Sequence, residues 1–121
     1  MTESSYYHSL GSYYLNHSDY EAIEIKFTRT NRLSFSCLPA HQEEALLKQW
    51  YYKIPDVGVQ RKPLDIVLKR KECPIIVVYY SPRHTEIYEI PIRTFLKEKY
   101  EGTEKSLSKE RAGEIGRRVK L

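Results

Sequence analysis

The stretch PIIVVYY, residues 74–80, constrains the fold more than any other part of the chain. Successive strand side chains point to opposite faces, so an unbroken apolar run suits a strand that is covered on both sides. The run is far too short to cross a bilayer, for which about 20 apolar residues are needed. The expected architecture is therefore α/β, a mixed β-sheet flanked by helices. At 121 residues the chain is long enough for a sizeable core and too short for two, so residues 1–121 read as one domain.

Other segments supply the flanking layers. In SSYYHSLGSYYLNH, Tyr6, Tyr7, Leu10, Tyr13 and Tyr14 recur at helical spacing, which predicts a helix within residues 1–19, with Ser4 or Ser5 as its cap and Gly11 weakening it. AIEIKFT alternates, Ile23, Ile25 and Phe27 to one side and Glu24, Lys26 and Thr28 to the other, the period of a strand. TRTNR then reads as a polar turn and LSFSCL as a second short strand completing a hairpin. PAHQEEALLKQW predicts a helix opened by Pro39, with an inner stripe of Ala45, Leu46 and Trp50. Gln42 lies one turn before Leu46, so an amide is aimed inward. LDIVLKR reads as a strand, TEIYEIPI as an edge strand because of Pro91, RTFLKEKY as a helix, and residues 104–121 as a charged helical tail.

Composition narrows the partners. Lys and Arg number 20 against 16 Asp and Glu, a modest basic excess that points to a polyanion, with nucleic acid the leading candidate. Eleven tyrosines carry an apolar ring and a polar tip, suited to wet interfaces as well as to cores. Cys37 and Cys73 are far apart, with neither CxxC spacing nor paired histidines, so neither a disulfide framework nor a zinc site is indicated. MTESSYYHSL has no basic segment followed by an apolar one. The expectation is a soluble protein of the reducing cytoplasm (that of the host, if the chain is viral) with no membrane partner.

Glu24 and Lys26 share the wet side of their strand. A solvated salt-bridge face produces such a pair routinely, and half of a metal-dependent active site produces it too. Context adds weight to the second: the pair is followed by a polar turn, a short strand and a helix with Gln42 on its inner side, and an inward amide needs partners.

The ordered set IEIKFTRTNRLSFSCLPAHQEEALLKQW and PIIVVYYSPRHTEIYEIPIRTFL, spanning roughly residues 20–96, resembles the PD-(D/E)XK nuclease superfamily. Within it the set is similar to the small Holliday-junction resolvases of archaea, their viruses and phages, and to the RecU type. The resemblance implies a restriction-endonuclease-like fold and a metal-dependent endodeoxyribonuclease using Mg²⁺ or Mn²⁺. Its implied partners are branched double-stranded DNA and a second copy of the chain, since a junction has two symmetry-related strands to cut. Glu24 and the backbone carbonyl of Ile25 would ligate the ion, Lys26 would orient the water or stabilise the transition state, and Gln42 would hold the water or a metal ligand.

The family's first acid precedes its Glu-x-Lys strand by a hairpin, and here Asp19 stands only five residues ahead of Glu24. KPLDIVLKRKECPIIVVYY has the order of that acid hairpin, which places the second metal acid at Asp65, in a hairpin that has moved past the helix. Asp56, Asp19 and Glu3 are held in reserve. Arg29, Arg32, Lys62, Lys69, Arg70 and Lys71 fall in turns at the strand ends and would form a phosphate-gripping rim, with His41 beside Gln42 as a further contact. Cys37 reads as a core residue of the hairpin. Two other readings stand beside a resolvase: a restriction or repair nuclease, and a non-catalytic DNA-binding or structural relative.

Overall fold

A computed structural model describes residues 2–17, 20, 22–51 and 72–121. Helix α1 (Glu3–His17) leads to strand β1 (Glu24–Thr28), the short β2 (Arg32–Ser34), a 3₁₀ turn at Phe35–Cys37 and helix α2 (Ala40–Tyr51). Then come β3 (Pro74–Tyr79), β4 (Glu86–Pro91), α3 (Ile92–Glu101), β5 (Ser106–Ser108), α4 (Lys109–Ile115) and β6 (Arg117–Val119). Among the described residues these elements form a small α/β domain around a mixed four-stranded sheet.

The strand order is β1-β3-β4-β6, with β1 parallel to β3 and the other pairings antiparallel. All six residues of β3 are buried, as the apolar run predicts. Its alternation feeds two cores. Ile76 and Val78 join Ile87, Val119 and the α1 residues Leu10 and Tyr14 on one face. Ile75, Val77 and Tyr79 join Leu38, Leu46, Ile90, Phe95 and Leu107 on the other, beneath α2, α3 and α4. Ile23, Ile25 and Phe27 pack toward α1. In register, Glu24 and Lys26 stand beside Ile75 and Val77, on the α2 side.

Helix α1 is capped by Thr2, whose hydroxyl accepts from the Ser5 amide at 3.1 Å, and not by Ser4 or Ser5, which lie inside it; four larger expectations are also corrected. LSFSCL does not complete a hairpin with β1: β2 pairs with β5, Leu33 opposite Leu107, and Phe35–Cys37 winds into the 3₁₀ turn. Local hydroxyls redirect the chain. Thr28 and Thr30 both donate to the Arg32 carbonyl, at 3.0 and 2.8 Å, and the Ser34 hydroxyl accepts from the Ser36 amide. Ala45 is exposed, and Glu43 joins Leu46 as a buried α2 side chain. The side chain of Trp50 lies outside the described residues. β4 is interior, because β6 covers its far side; that ladder reaches only Ile87 to Glu89, so Pro91 sits beyond it and caps α3 without costing a sheet hydrogen bond.

The charged tail is the fourth correction, being strand, helix and strand in turn. Ser108 caps α4 through the Arg111 amide, and the helix ends at Gly116, whose amide reaches back to the Ala112 carbonyl at 2.9 Å. A Cβ on Gly116 would lie 2.7 Å from Cγ1 of Ile90 and 2.8 Å from the Glu89 carbonyl oxygen. Glycine alone permits this approach, which brings Arg117–Val119 alongside β4.

Candidate functional site

Glu24 and Lys26 project from β1 toward α2, and Gln42 projects from the first turns of α2 toward them. The Lys26 ammonium lies 3.5 Å from Oε1 of Glu24 and donates to Oε1 of Gln42 at 2.9 Å. The three residues singled out from the sequence thus converge, with the Lys26 side chain 17% and the Glu24 side chain 28% exposed. The site is shielded yet reachable. The Glu24–Lys26 separation exceeds the about 2.7–2.9 Å of a charge-assisted hydrogen bond, so each charge is only loosely neutralised by the other. An ammonium has three protons to donate, and the Gln42 oxygen fixes one direction while leaving the charge in place.

Cys37 ends the 3₁₀ turn beside this group rather than inside a hairpin. Burial pushes its thiol up, against the opposing influence of the Lys26 and Lys99 ammonium groups, so it stays protonated at neutral pH and is a poor nucleophile. Glu3, the first residue of α1, accepts a hydrogen bond from the Tyr7 hydroxyl at 2.9 Å. Burial, the Glu3 hydrogen bond and the charges of Glu3 and Glu24 push the Tyr7 hydroxyl up to about 12.

Two further charged groups are buried. Glu43, adjacent to Gln42, is 7% exposed and is met by the Lys99 ammonium at 2.6 Å and the Tyr100 hydroxyl at 2.6 and 2.9 Å. Lys99 also donates to the Leu38 carbonyl at 2.8 Å. Its pKa is raised: burial opposes the ammonium, but the Glu43 hydrogen bond and charge outweigh it. EEALLK sets its first Glu three and four residues before Leu46 and Leu47, so helical spacing puts Glu43 on their side, but it does not show which counter-charge meets it there. Glu89 was more legible, since in TEIYEIPI it shares parity with Ile87 and so lies on an apolar face. It is held under α1 by Tyr14 at 2.6 Å, Tyr20 at 2.9 Å and Arg117 at 3.0 Å.

The remaining residues named for nucleic-acid contact divide. The Arg29 guanidinium is exposed and lies 5.3 and 5.2 Å from the ring centres of Phe27 and Tyr80, which stack on one another. Arg32 is committed to the sheet, donating to the Ser106 hydroxyl at 2.7 Å and pairing with Glu104 at 3.4 Å. His41 is exposed at the second position of α2. Asp65, Asp56, Asp19, Lys62, Lys69, Arg70 and Lys71 lie outside the described residues.

Of the expected metal acids, Glu24 and the reserve Glu3 are therefore the ones whose surroundings can be read. Among the described residues no group of three or more His, Cys, Asp or Glu is arranged to hold a metal ion. Among the described residues the nearest charged partner of Glu24 is the Lys26 ammonium at 3.5 Å, so its carboxylate is a hard oxygen donor with spare capacity. No helix of the described residues is long and apolar enough to cross a membrane. Comparisons with family models, with curated proteins and with solved structures each return no match.

Proposed function

We propose that the chain is a metal-dependent DNA endonuclease of the PD-(D/E)XK kind, with the Holliday junction as its preferred substrate. The observation that carries the reading is the convergence of Glu24, Lys26 and Gln42 from two separate elements. A bound Mg²⁺ or Mn²⁺ would neutralise the scissile phosphate and lower the pKa of the attacking water. Glu24, the Ile25 carbonyl and Asp65 are the groups proposed to hold it. Lys26, oriented by Gln42, donates to the phosphate oxygens as negative charge builds on them, and its partial burial strengthens that interaction. Arg29 presents an exposed cation for the backbone, with Lys62, Lys69, Arg70, Lys71 and His41 as the proposed remainder of the rim and Arg32 left to its sheet contacts.

Two strands must be cut symmetrically, so the working species is proposed to be a two-fold dimer with one site per subunit. Sedimentation then gives about twice the 14.4 kDa of one chain; a monomer at micromolar concentration that resolves junctions overturns the dimer. The decisive assay compares a four-way junction with a matched linear duplex, each with Mg²⁺, with Mn²⁺ and with a chelator. Paired symmetric nicks in the junction alone, abolished by chelation, are the expected result. Equal cutting of the duplex would make the protein a restriction or repair nuclease. Salt-dependent binding with no nick under any condition would make it a non-catalytic DNA-binding relative.

A further inference from the structure

We infer that Lys99, held between the Glu43 carboxylate and the Leu38 carbonyl, is a positioning residue: it sets the rotation of α2 so that the Gln42 amide oxygen meets Lys26. The geometric claim stands on the contacts themselves, and its catalytic meaning rests on the nuclease reading above. Gln42 and Glu43 are consecutive on a helix and diverge by about 100° around its axis, so one rotation moves both. Glu43 faces α3 and Gln42 faces β1. Whatever fixes Glu43 also fixes Gln42.

The relative strengths of the contacts say which one governs. Lys99 to Glu43 is a 2.6 Å ion pair between side chains 16% and 9% exposed, and the Tyr100 hydroxyl donates to the same carboxylate at 2.6 Å. Lys26 to Gln42 joins an ammonium to a neutral amide at 2.9 Å. Both are charge-assisted, but only the former joins two opposite charges, and it is the shorter. Lys99 also binds the carbonyl of Leu38, two residues before α2 begins, so it ties both the entry and the first turn of the helix to α3.

The test uses Glu43→Gln, Lys99→Arg and Tyr100→Phe in the full chain. The Lys26 ammonium is followed by NMR, assigned through Lys26→Arg, alongside single-turnover cutting and the junction Kd. Glu43→Gln is expected to shift the Lys26 resonance and speed its proton exchange. Cutting should slow up to about 10²-fold, the cost of a misplacement near 1 Å, with the Kd unchanged. Lys99→Arg keeps the charge and should retain most of the rate. Tyr100→Phe removes one hydroxyl at a residue 65% exposed, so it folds even if Glu43→Gln does not, and should move the Lys26 resonance in the same direction by less. An unmoved Lys26 resonance in Tyr100→Phe and in any folded Glu43→Gln overturns the inference, as does a loss of stability with no change at Lys26. If the wild-type chain cuts nothing while the variants still shift Lys26, the clamp stands and the nuclease reading falls.

Discussion

The two faces of the sheet each bury a carboxylate, and they treat charge differently. On the α1 face Glu89 is enclosed by Tyr14, Tyr20 and Arg117, each within 3.0 Å of one of its oxygens. On the α2 face Glu43 is equally saturated by Lys99 and Tyr100, yet beside it the Glu24–Lys26 pair is held at 3.5 Å, with a neutral amide as the nearer partner of the ammonium. A charge that serves to join elements gains from full satisfaction, because any unmet hydrogen bond is costly in a dry place. A charge that is to meet a substrate has to keep capacity in reserve. The difference separates the pairs that hold the protein together from the pair proposed for chemistry.

The strongest way to break that comparison is to remove the open pair. Glu24→Gln and Lys26→Ala should each lower junction cleavage by roughly 10²–10⁴-fold, the usual range for a positioned acid or base. Stability should change by less than about 1 kcal/mol, as for other partly exposed ion pairs. Glu24→Gln also removes a negative charge facing the phosphate, so binding should tighten if it changes. Asp65→Asn should lose cleavage as fully as Glu24→Gln; retention of more than about a tenth of the wild-type rate sinks its assignment as the second acid.

The saturated pair should behave in the opposite way. Glu89→Gln is expected to cost about 1.5–3 kcal/mol in urea unfolding, the worth of hydrogen bonds to a buried charge, with the exposed Arg117 adding little, while the cutting rate per folded molecule is unchanged. The pH dependence follows in sign. Burial alone would raise the Glu89 pKa, but hydrogen bonds from Arg117, Tyr14 and Tyr20 prevail and hold it below its ordinary 4.5. Its stabilisation is therefore present above pH 4.5 and is lost as the pH falls through the lowered folded value. Glu86 and Glu98 are lowered as well, so Glu89→Gln should flatten only part of the acid limb.

A smaller effect tests whether β6 belongs to the α1-face structure. Gly116→Ala forces a methyl against Ile90 and the Glu89 carbonyl, at an expected cost of about 1–3 kcal/mol and with faster amide exchange along Arg117–Val119. Thermal unfolding at the wild-type temperature would show that the close approach is not needed. The smallest effect belongs to the rim: Arg29→Ala should lower the slope of log Kd against log salt by about 0.9, one phosphate contact, without altering the cutting pattern.

Several features were legible because they depend on local chemistry. The unbroken apolar run of β3 required two covering layers, and period-2 alternation placed Glu24 and Lys26 opposite Ile23, Ile25 and Phe27 whatever the rest of the chain did. The spacing of Gln42 to Leu46 placed an amide on the inner side of α2. Other features depended on partners distant in sequence. Leu33 found Leu107 instead of β1, and β4 gained β6 across its far side because Gly116 allows the chain within van der Waals reach of Ile90. Glu43 is buried because Lys99, 56 residues away, neutralises it. Periodicity reports which side of an element a residue occupies, and that is a property of the backbone. Whether that side meets water, a core or a counter-charge depends on which other element arrives there, and only the tertiary structure decides it.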